Sequence, residues 1–226
     1  MPLRPPQARL RTPSLRDDTG LCVQIILGLI FGYVCGSIPF GLIVSFFGGT
    51  KDPRSIGSGN IGATNVLRTG RKDLAALTLL LDMGKGAFAV AVVAFIVWRR
   101  MPPDSVWPPY APLFAAFGAF IGHVYPIWLG FRGGKGVATF LGCLLALSWQ
   151  AGLVFIGLWL VVAAVTRFSS LAALLASAAA PAYLIYTKQQ PRTAGLFVLL
   201  ALLLWYKHWP NIVRLVKGKE TRIGKS

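Results

Sequence analysis

Three blocks of this chain combine glycines, small hydrogen-bonding side chains and fixed positive charge, a set suited to gripping an anion. The first runs from Arg54 to Arg68 and reads Arg-Ser-Ile-Gly-Ser-Gly-Asn-Ile-Gly-Ala-Thr-Asn-Val-Leu-Arg. Gly57, Gly59 and Gly62 let the backbone approach a ligand with no Cβ in the way. Ser58, Asn60, Thr64 and Asn65 supply neutral hydrogen-bonding groups, and Arg54 and Arg68 supply charge. Such a set suits clustered anionic oxygens, as in a phosphate or phosphoryl ester. The spacing also fits G-x-G-x-x-G, but the dinucleotide fingerprint needs a preceding strand in a βαβ unit. An apolar run of membrane-spanning length stands there instead. A flexible loop would account for the glycines, but less readily for four such groups and two arginines in 15 residues.

The second block is Gly122-His-Val-Tyr-Pro126, then Gly130-Phe-Arg-Gly-Gly-Lys-Gly-Val-Ala-Thr139. Gly133, Gly134 and Gly136 surround Lys135 where an apolar helix should begin. A helix start offers free N–H groups and a positive dipole end, and a neighbouring lysine completes an anion cradle. A Walker A loop would need Ser or Thr after the lysine and a glycine at 129; Gly136 and Leu129 stand there. Taken alone, the block could equally be a basic loop at a membrane interface. The third block, Tyr206-Lys-His-Trp-Pro-Asn-Ile-Val-Arg214 and Lys217-Gly-Lys-Glu220, follows the last apolar run. His208, with Asn211 one turn on, is a candidate proton carrier or phosphate hydrogen-bond donor. His123, flanked by apolar residues, reads as a packed, hydrogen-bonded histidine. Asp82 and Lys85, at i and i+3 inside an apolar run, read as an ion pair that orients a helix rather than as catalytic groups.

Apolar helices must position these blocks. Of the 226 residues, 55% are apolar and 13% charged, against about 45–50% and about 25% in soluble domains. The mean hydropathy is +0.63. Seven acids against 23 Lys and Arg give a net charge of +16. Nucleic-acid binders can be as basic, but their bases cluster on a polar surface. Here the bases punctuate apolar runs, which points to a polytopic membrane protein whose cationic loops meet anionic lipid or phosphate. Cys22, Cys35 and Cys143 all lie in apolar runs with no CxxC, so neither a disulfide framework nor a zinc site is expected.

Apolar segments fall at about 21–47, 74–98, 110–131, 134–167, 169–187 and 194–206. Residues 1–20 read as a polar N-terminal extension and 21–226 as one membrane domain, with 21–47 an uncleaved anchor rather than a signal peptide. Segment 134–167 is either one long tilted helix or two helices turning near 148–152. With 48–73 placed in the cytoplasm, seven spans put 14 bases inside and 8 outside, whereas six spans put 9 inside and 13 outside. The positive-inside rule therefore favours seven. The four arginines of residues 1–20 run against it. The expected fold is all-α, with seven transmembrane helices, an extracytoplasmic N-terminus and a cytoplasmic C-terminus. Seven spans bring all three blocks, and Ser169-Ser170, to one membrane face.

GSIPFG at 36–41, GSGNIGATNVLR at 57–68, LDMGKG at 81–86, GHVYPIWLGFRGGKGVAT at 122–139 and KHWPNIVRLVKGKE at 207–220 together resemble the PlsY-type acyl-phosphate:glycerol-3-phosphate acyltransferases of bacteria. Order and approximate spacing agree from about residue 21 to 222. The resemblance implies a multi-pass protein of the bacterial inner membrane with its active site facing the cytoplasm. It also implies transfer of a fatty acyl group from acyl phosphate to the 1-hydroxyl of glycerol 3-phosphate, giving lysophosphatidic acid and phosphate. No cofactor, metal or obligate protein partner is expected. By motif, Ser58, Arg68, Ser170 and His208 match catalytic positions, and Lys135 with Gly133, Gly134 and Gly136 matches a phosphate-binding loop. Asn211 and Glu220 match the third motif. Gly57, Gly59, Asn60, Thr64, Asn65 and Arg54 complete the expected substrate contacts.

The chemistry of the residues agrees with this independently. Neither histidine belongs to the His-x4-Asp dyad of thioester-using acyltransferases. An acyl phosphate is an activated mixed anhydride, so a strong base is less necessary. Donor and acceptor each bring a phosphate, and two dianions in one pocket would repel unless bases such as Arg54, Arg68, Lys135 and Arg132 surround them. The favoured mechanism is direct attack of the acceptor hydroxyl, with Ser58 and Ser170 donating hydrogen bonds to the reacting groups. An acyl-Ser58 intermediate with His208 as base is the alternative. A transporter of a phosphorylated solute remains a competing function, because basic loops and intramembrane charge suit it too. A phosphoalcohol transferase would need an Asp-rich metal motif that the loops lack.

Overall fold

The computed structural model describes residues 15–100, 110–188 and 190–224. Among these, α-helices follow one another as α1 (Leu15–Gly36), α2 (Phe40–Phe47), α3 (Ala63–Val66), α4 (Lys72–Arg100), α5 (Ala111–Val124), α6 (Val137–Leu147), α7 (Trp149–Thr166), α8 (Ser169–Thr187), α9 (Pro191–Lys207) and α10 (Trp209–Val216). The expected extension 1–20 lies mostly outside the described residues, and its last six are already helical.

Among the described residues, five segments are long and apolar enough to cross a bilayer: Gly20–Phe47, Lys72–Arg100, Ala111–Leu129, Trp149–Thr166 and Ser169–Thr187. α9 and α10 make a sixth if counted as one span bent by 62°. Segment 134–167 is two helices, broken at Ser148, where the backbone turns extended (φ −155°). The first of them, α6, has 11 residues. That is about 16 Å of helix against a hydrocarbon core of about 30 Å.

Glycine spacing sets how the helices touch. Gly28, Gly32 and Gly36 place one face of α1 against Ala111, Ala115 and Ala119 of α5, where a Cβ on Gly32 would stand 2.1 Å from the Ala115 carbonyl oxygen. Gly118 and Gly122 return the fit against Leu29 and Tyr33. Water-excluding burial gives helices little reason to associate in lipid, so close backbone contact through small residues supplies it. α6 sits at the centre. Phe140 packs on Phe155 of α7 (5.6 Å between centroids) and edge-on against Phe197 of α9 (4.9 Å). Phe47, Trp98, Val165 and Tyr186 are exposed on the outside, where lipid would meet them.

Candidate active site

Where the polar blocks meet, the bundle forms a partly open cavity of about 710 Å3. Its polar lining includes Ser58, Asn60, Thr64, Asn65 and Arg68 of the first block, Lys135 and Gly136 of the second, Ser169 and Ser170, and His208, Asn211, Glu220 and Arg222 of the third block and tail. Its apolar lining includes Leu79 and Met83 of α4, Leu141 of α6, and Ile156, Trp159 and Leu160 of α7.

The first block is knotted by its own amides. The Asp52 carboxylate accepts the Arg54 N–H (2.8 Å) and starts a short 3-10 turn, Pro53–Ser55. Asn65, buried, donates to the carbonyls of Pro53 and Ile56 and accepts from Ser58 N (3.2 Å) and Arg68 Nη1 (3.0 Å). Gly57 has φ +52°, and a Cβ there would stand 2.5 Å from Arg68 Nη1 and 2.6 Å from Asn65 Oδ1. Arg68 reaches on to donate from Nη2 to Thr221 Oγ1. Its guanidinium is thus fixed between the first block and the C-terminal tail.

The second block folds back on the end of α5. Gly133 N donates to Val124 O (3.2 Å) and Gly134 N to His123 O (3.0 Å). Gly136 precedes α6 at φ +89°, with the Phe120 ring in the space a side chain would need. Lys135 Nζ then donates to Asn211 Oδ1. The first turn of α6, with its unpaired N–H groups, faces the cavity through Val137 and Ala138.

The third block bends at His208. His208 Nδ1 lies 2.9 Å from the Leu204 carbonyl, which can only accept, so Nδ1 carries the hydrogen and Nε2 is left as an acceptor. Glu220 gathers the rest. Its Oε1 accepts from Ser170 Oγ (2.8 Å) and Asn211 Nδ2 (2.6 Å), and its Oε2 from Arg214 Nε (2.7 Å). The tail is pinned further on, where Ile223 N donates to Arg167 O (2.7 Å) and Arg167 Nη2 to Ile223 O (2.9 Å).

Charge in the site is unbalanced. Burial, with Arg214, Arg68 and Lys207 nearby and Glu220 opposing them, brings the Lys135 ammonium down to about 8. For Glu220, burial works against ionisation, but the hydrogen bonds from Asn211, Ser170 and Arg214 outweigh it and hold the carboxyl below its usual range. Three cationic side chains (Arg68, Lys135 and Arg222), a helix start and the free Nε2 acceptor therefore face one cavity in which Glu220 is already engaged by three donors. Such a site can hold phosphoryl oxygens beside an apolar wall that suits a hydrocarbon chain.

Several expectations change at this level of detail. Arg54 is exposed and paired with Asp52 (2.6 Å), and neither it nor Arg132 lines the cavity. Gly57, Gly59, Gly133 and Gly134 shape loops and do not line it either. The Asn65 side chain is engaged by its own loop, and the Ser170 hydroxyl proton goes to Glu220, so neither donates to a ligand in this arrangement. His123 is buried as expected, but its Nδ1 lacks a hydrogen bond and lies 3.6 Å from Asp82 Oδ1. Asp82, His123 and Thr221 all line the cavity. The signal for the first two was an acid and a histidine inside apolar runs; nothing marked Thr221.

Comparison with known proteins matches the family model for glycerol-3-phosphate acyltransferase to residues 26–218. A relative from Brucella anthropi named glycerol-3-phosphate acyltransferase is 52% identical over 204 residues, covering 90% of this chain and 96% of its own. A relative of the same name from Rhodospirillum rubrum is 53% identical over 213 residues, covering 93% and 97%. The crystal structure of PlsY (YgiH), an integral membrane glycerol 3-phosphate acyltransferase, in its glycerol 3-phosphate form superposes with a TM-score of 0.77 at 35% identity, over 88% of this chain and 96% of that one. Its lysophosphatidic acid form gives 0.75 at 34% identity, over 88% and 95%. The match runs through most of the spans and the blocks around the cavity, and the chain belongs to the glycerol-3-phosphate acyltransferase family.

Proposed function

We propose that this protein transfers a fatty acyl group from acyl phosphate to the 1-hydroxyl of glycerol 3-phosphate at the cytoplasmic face of a bacterial inner membrane. The observation that carries the reading is that Arg68 and Lys135, from separate blocks, line one cavity whose remaining wall is largely apolar. A phosphate and an acyl chain are what such a cavity fits. Seven crossings, with the N-terminus outside and the C-terminus inside, follow if α6 and the loop before it count as one. The Arg68–Thr221 hydrogen bond supports this, because it requires an even number of crossings between the first block and the tail, and α4 to α9 supply six.

In this mechanism Arg68, Lys135 and the start of α6 hold the two phosphates and reduce their repulsion. Glu220 does not touch substrate. It holds Asn211, Ser170 and Arg214 in place, and Asn211 in turn places Lys135. The Ser58 hydroxyl, whose contact to Asn65 Oδ1 is long at 3.5 Å, is free to turn toward the reacting carbonyl. The acceptor oxygen bonds to the acyl carbon, the bond from that carbon to the phosphate oxygen breaks, and the hydroxyl proton leaves on the phosphate. His208 Nε2 accepts a hydrogen bond from the hydroxyl or from the protonated phosphate and orients it.

The test is product formation by the purified protein in detergent, with EDTA, comparing acyl phosphate, acyl-CoA and acyl-carrier-protein donors. Lysophosphatidic acid formed from acyl phosphate, and not from the thioesters, supports the reading. Turnover only with a thioester refutes the donor. Uptake of glycerol 3-phosphate into vesicles without turnover favours the transporter.

A further inference from the structure

The motifs at 36–41 and 81–86 have no part in the phosphate-gripping set above, although Asp82 and Met83 reach the cavity wall, and the two motifs meet inside the bundle. The break between α1 and α2 frees two carbonyls from the helical ladder. Trp128 Nε1 donates to Ser37 O (2.6 Å), and Lys85 Nζ donates to Ile38 O (2.7 Å). Lys85 Nζ also lies 2.7 Å from Asp82 Oδ1, the oxygen that faces His123 Nδ1 at 3.6 Å. Exposure is 6% for Lys85, 2% for Asp82 and 4% for His123. A buried charge pair is weak evidence for stability, since desolvation offsets the attraction. This one is also imperfectly satisfied, because Asp82 Oδ1 and His123 Nδ1 make no well-formed hydrogen bond. A pair that only orients α4 needs no histidine beside it.

The far edge of the imidazole shows what the histidine adds. A Cβ on Gly134 would stand 2.0 Å from His123 Nε2, so the ring fills the space beside the residue that precedes Lys135. α6 is tied to the same acid through Thr139 Oγ1, which donates to the Asp82 carbonyl (3.0 Å).

We infer that Asp82, Lys85 and His123 form a positioning relay. The α1–α2 break fixes Lys85, Lys85 fixes the Asp82 carboxylate, and His123, held between that carboxylate and Gly134, sets where Lys135 stands. The relay rests on the reading of Lys135 as a phosphate-gripping group, and the experiment separates the two. Equilibrium binding of labelled glycerol 3-phosphate and of a non-transferable acyl phosphonate to the full chain in detergent needs no turnover. Lys135→Gln identifies which probe Lys135 holds; if it weakens neither, the phosphate reading fails and the relay with it.

His123→Ala and Asp82→Asn are expected to weaken that same probe about tenfold and leave the other within about twofold. Gly134→Ala displaces the ring and gives the same selective loss. In the His123→Ala background its methyl occupies the vacated space, so the double variant binds the probe better than Gly134→Ala alone. If His123→Ala does not survive extraction, Asp82→Asn and Gly134→Ala carry the test. Equal weakening of both probes, no weakening of either by the relay variants, or additive losses in the double variant would overturn the relay while leaving the phosphate reading standing.

Discussion

Lys135 should make substrate capture fail at alkaline pH. Its ammonium titrates at about 8 in the buried site, below the ordinary 10.5. The free protein thus disfavours the charged form by about 3 kcal/mol. A bound phosphoryl dianion favours that form again, so binding raises the pKa and takes up a proton once the pH passes 8. Below about 8 the lysine is charged and affinity is full. Above it, affinity falls toward tenfold per pH unit, about 25-fold between pH 7.5 and 9.5. The ligand adds little to the slope, because phosphate monoesters, with a second pKa near 6, are almost wholly dianionic above pH 7.5. Lys135→Arg stays charged throughout and should flatten the profile, whatever its altered geometry does to absolute affinity. Binding of glycerol 3-phosphate and of the acyl phosphonate at three pH values, with calorimetry in two buffers of different ionisation heat, reads both slope and proton uptake. A flat profile for both ligands in the native protein, or the same slope in Lys135→Arg, refutes the reasoning.

Arg68→Ala should lower kcat/KM by about 100-fold or more, as befits removal of a charge-assisted clamp, whereas Cys143→Ala should stay within about twofold in the same assay. Cys143 Sγ makes only a 3.7 Å contact to a backbone carbonyl away from the cavity lining. Gly57→Ala, forced to φ +52° against the Arg68 guanidinium, should behave like a partial Arg68 deletion and lower the thermal midpoint in detergent. Glu220→Gln loses acceptor capacity for Ser170, Asn211 and Arg214, so kcat should drop about tenfold and protease should cut the 217–224 tail faster. A donor carrying a labelled acyl chain should leave no label on Ser58 after rapid quench; stoichiometric label there would replace direct transfer with an acyl-enzyme.

The apolar helices were readable because they follow from local solvation, whereas the break at 37–39, inside the segment read as one anchor, was not. The turn expected near 148–152 falls at Ser148, so the two helices that the count of bases favoured there are present. Individual side-chain assignments were harder to read. Arg54 looked like Arg68, since both are arginines beside glycines, but a carboxylate two residues away takes Arg54 and leaves Arg68 to the tail. Asn65 looked like a ligand group because composition does not say which carbonyls lie within its reach. Ser170 looked like a donor because Glu220, 50 residues away, was not yet beside it.

The amino-acid order alone determined that this chain is a set of apolar helices with basic, glycine-rich ends. Dehydrating that much hydrocarbon, and leaving those cations in water, are properties of each stretch by itself. Only the tertiary structure decided which ends meet and which polar atoms remain free. Helix contacts such as Gly32 on Ala115 and Gly142 on Met83 fix the bundle, and the bundle brings together residues too far apart in the chain for any local pattern to link them.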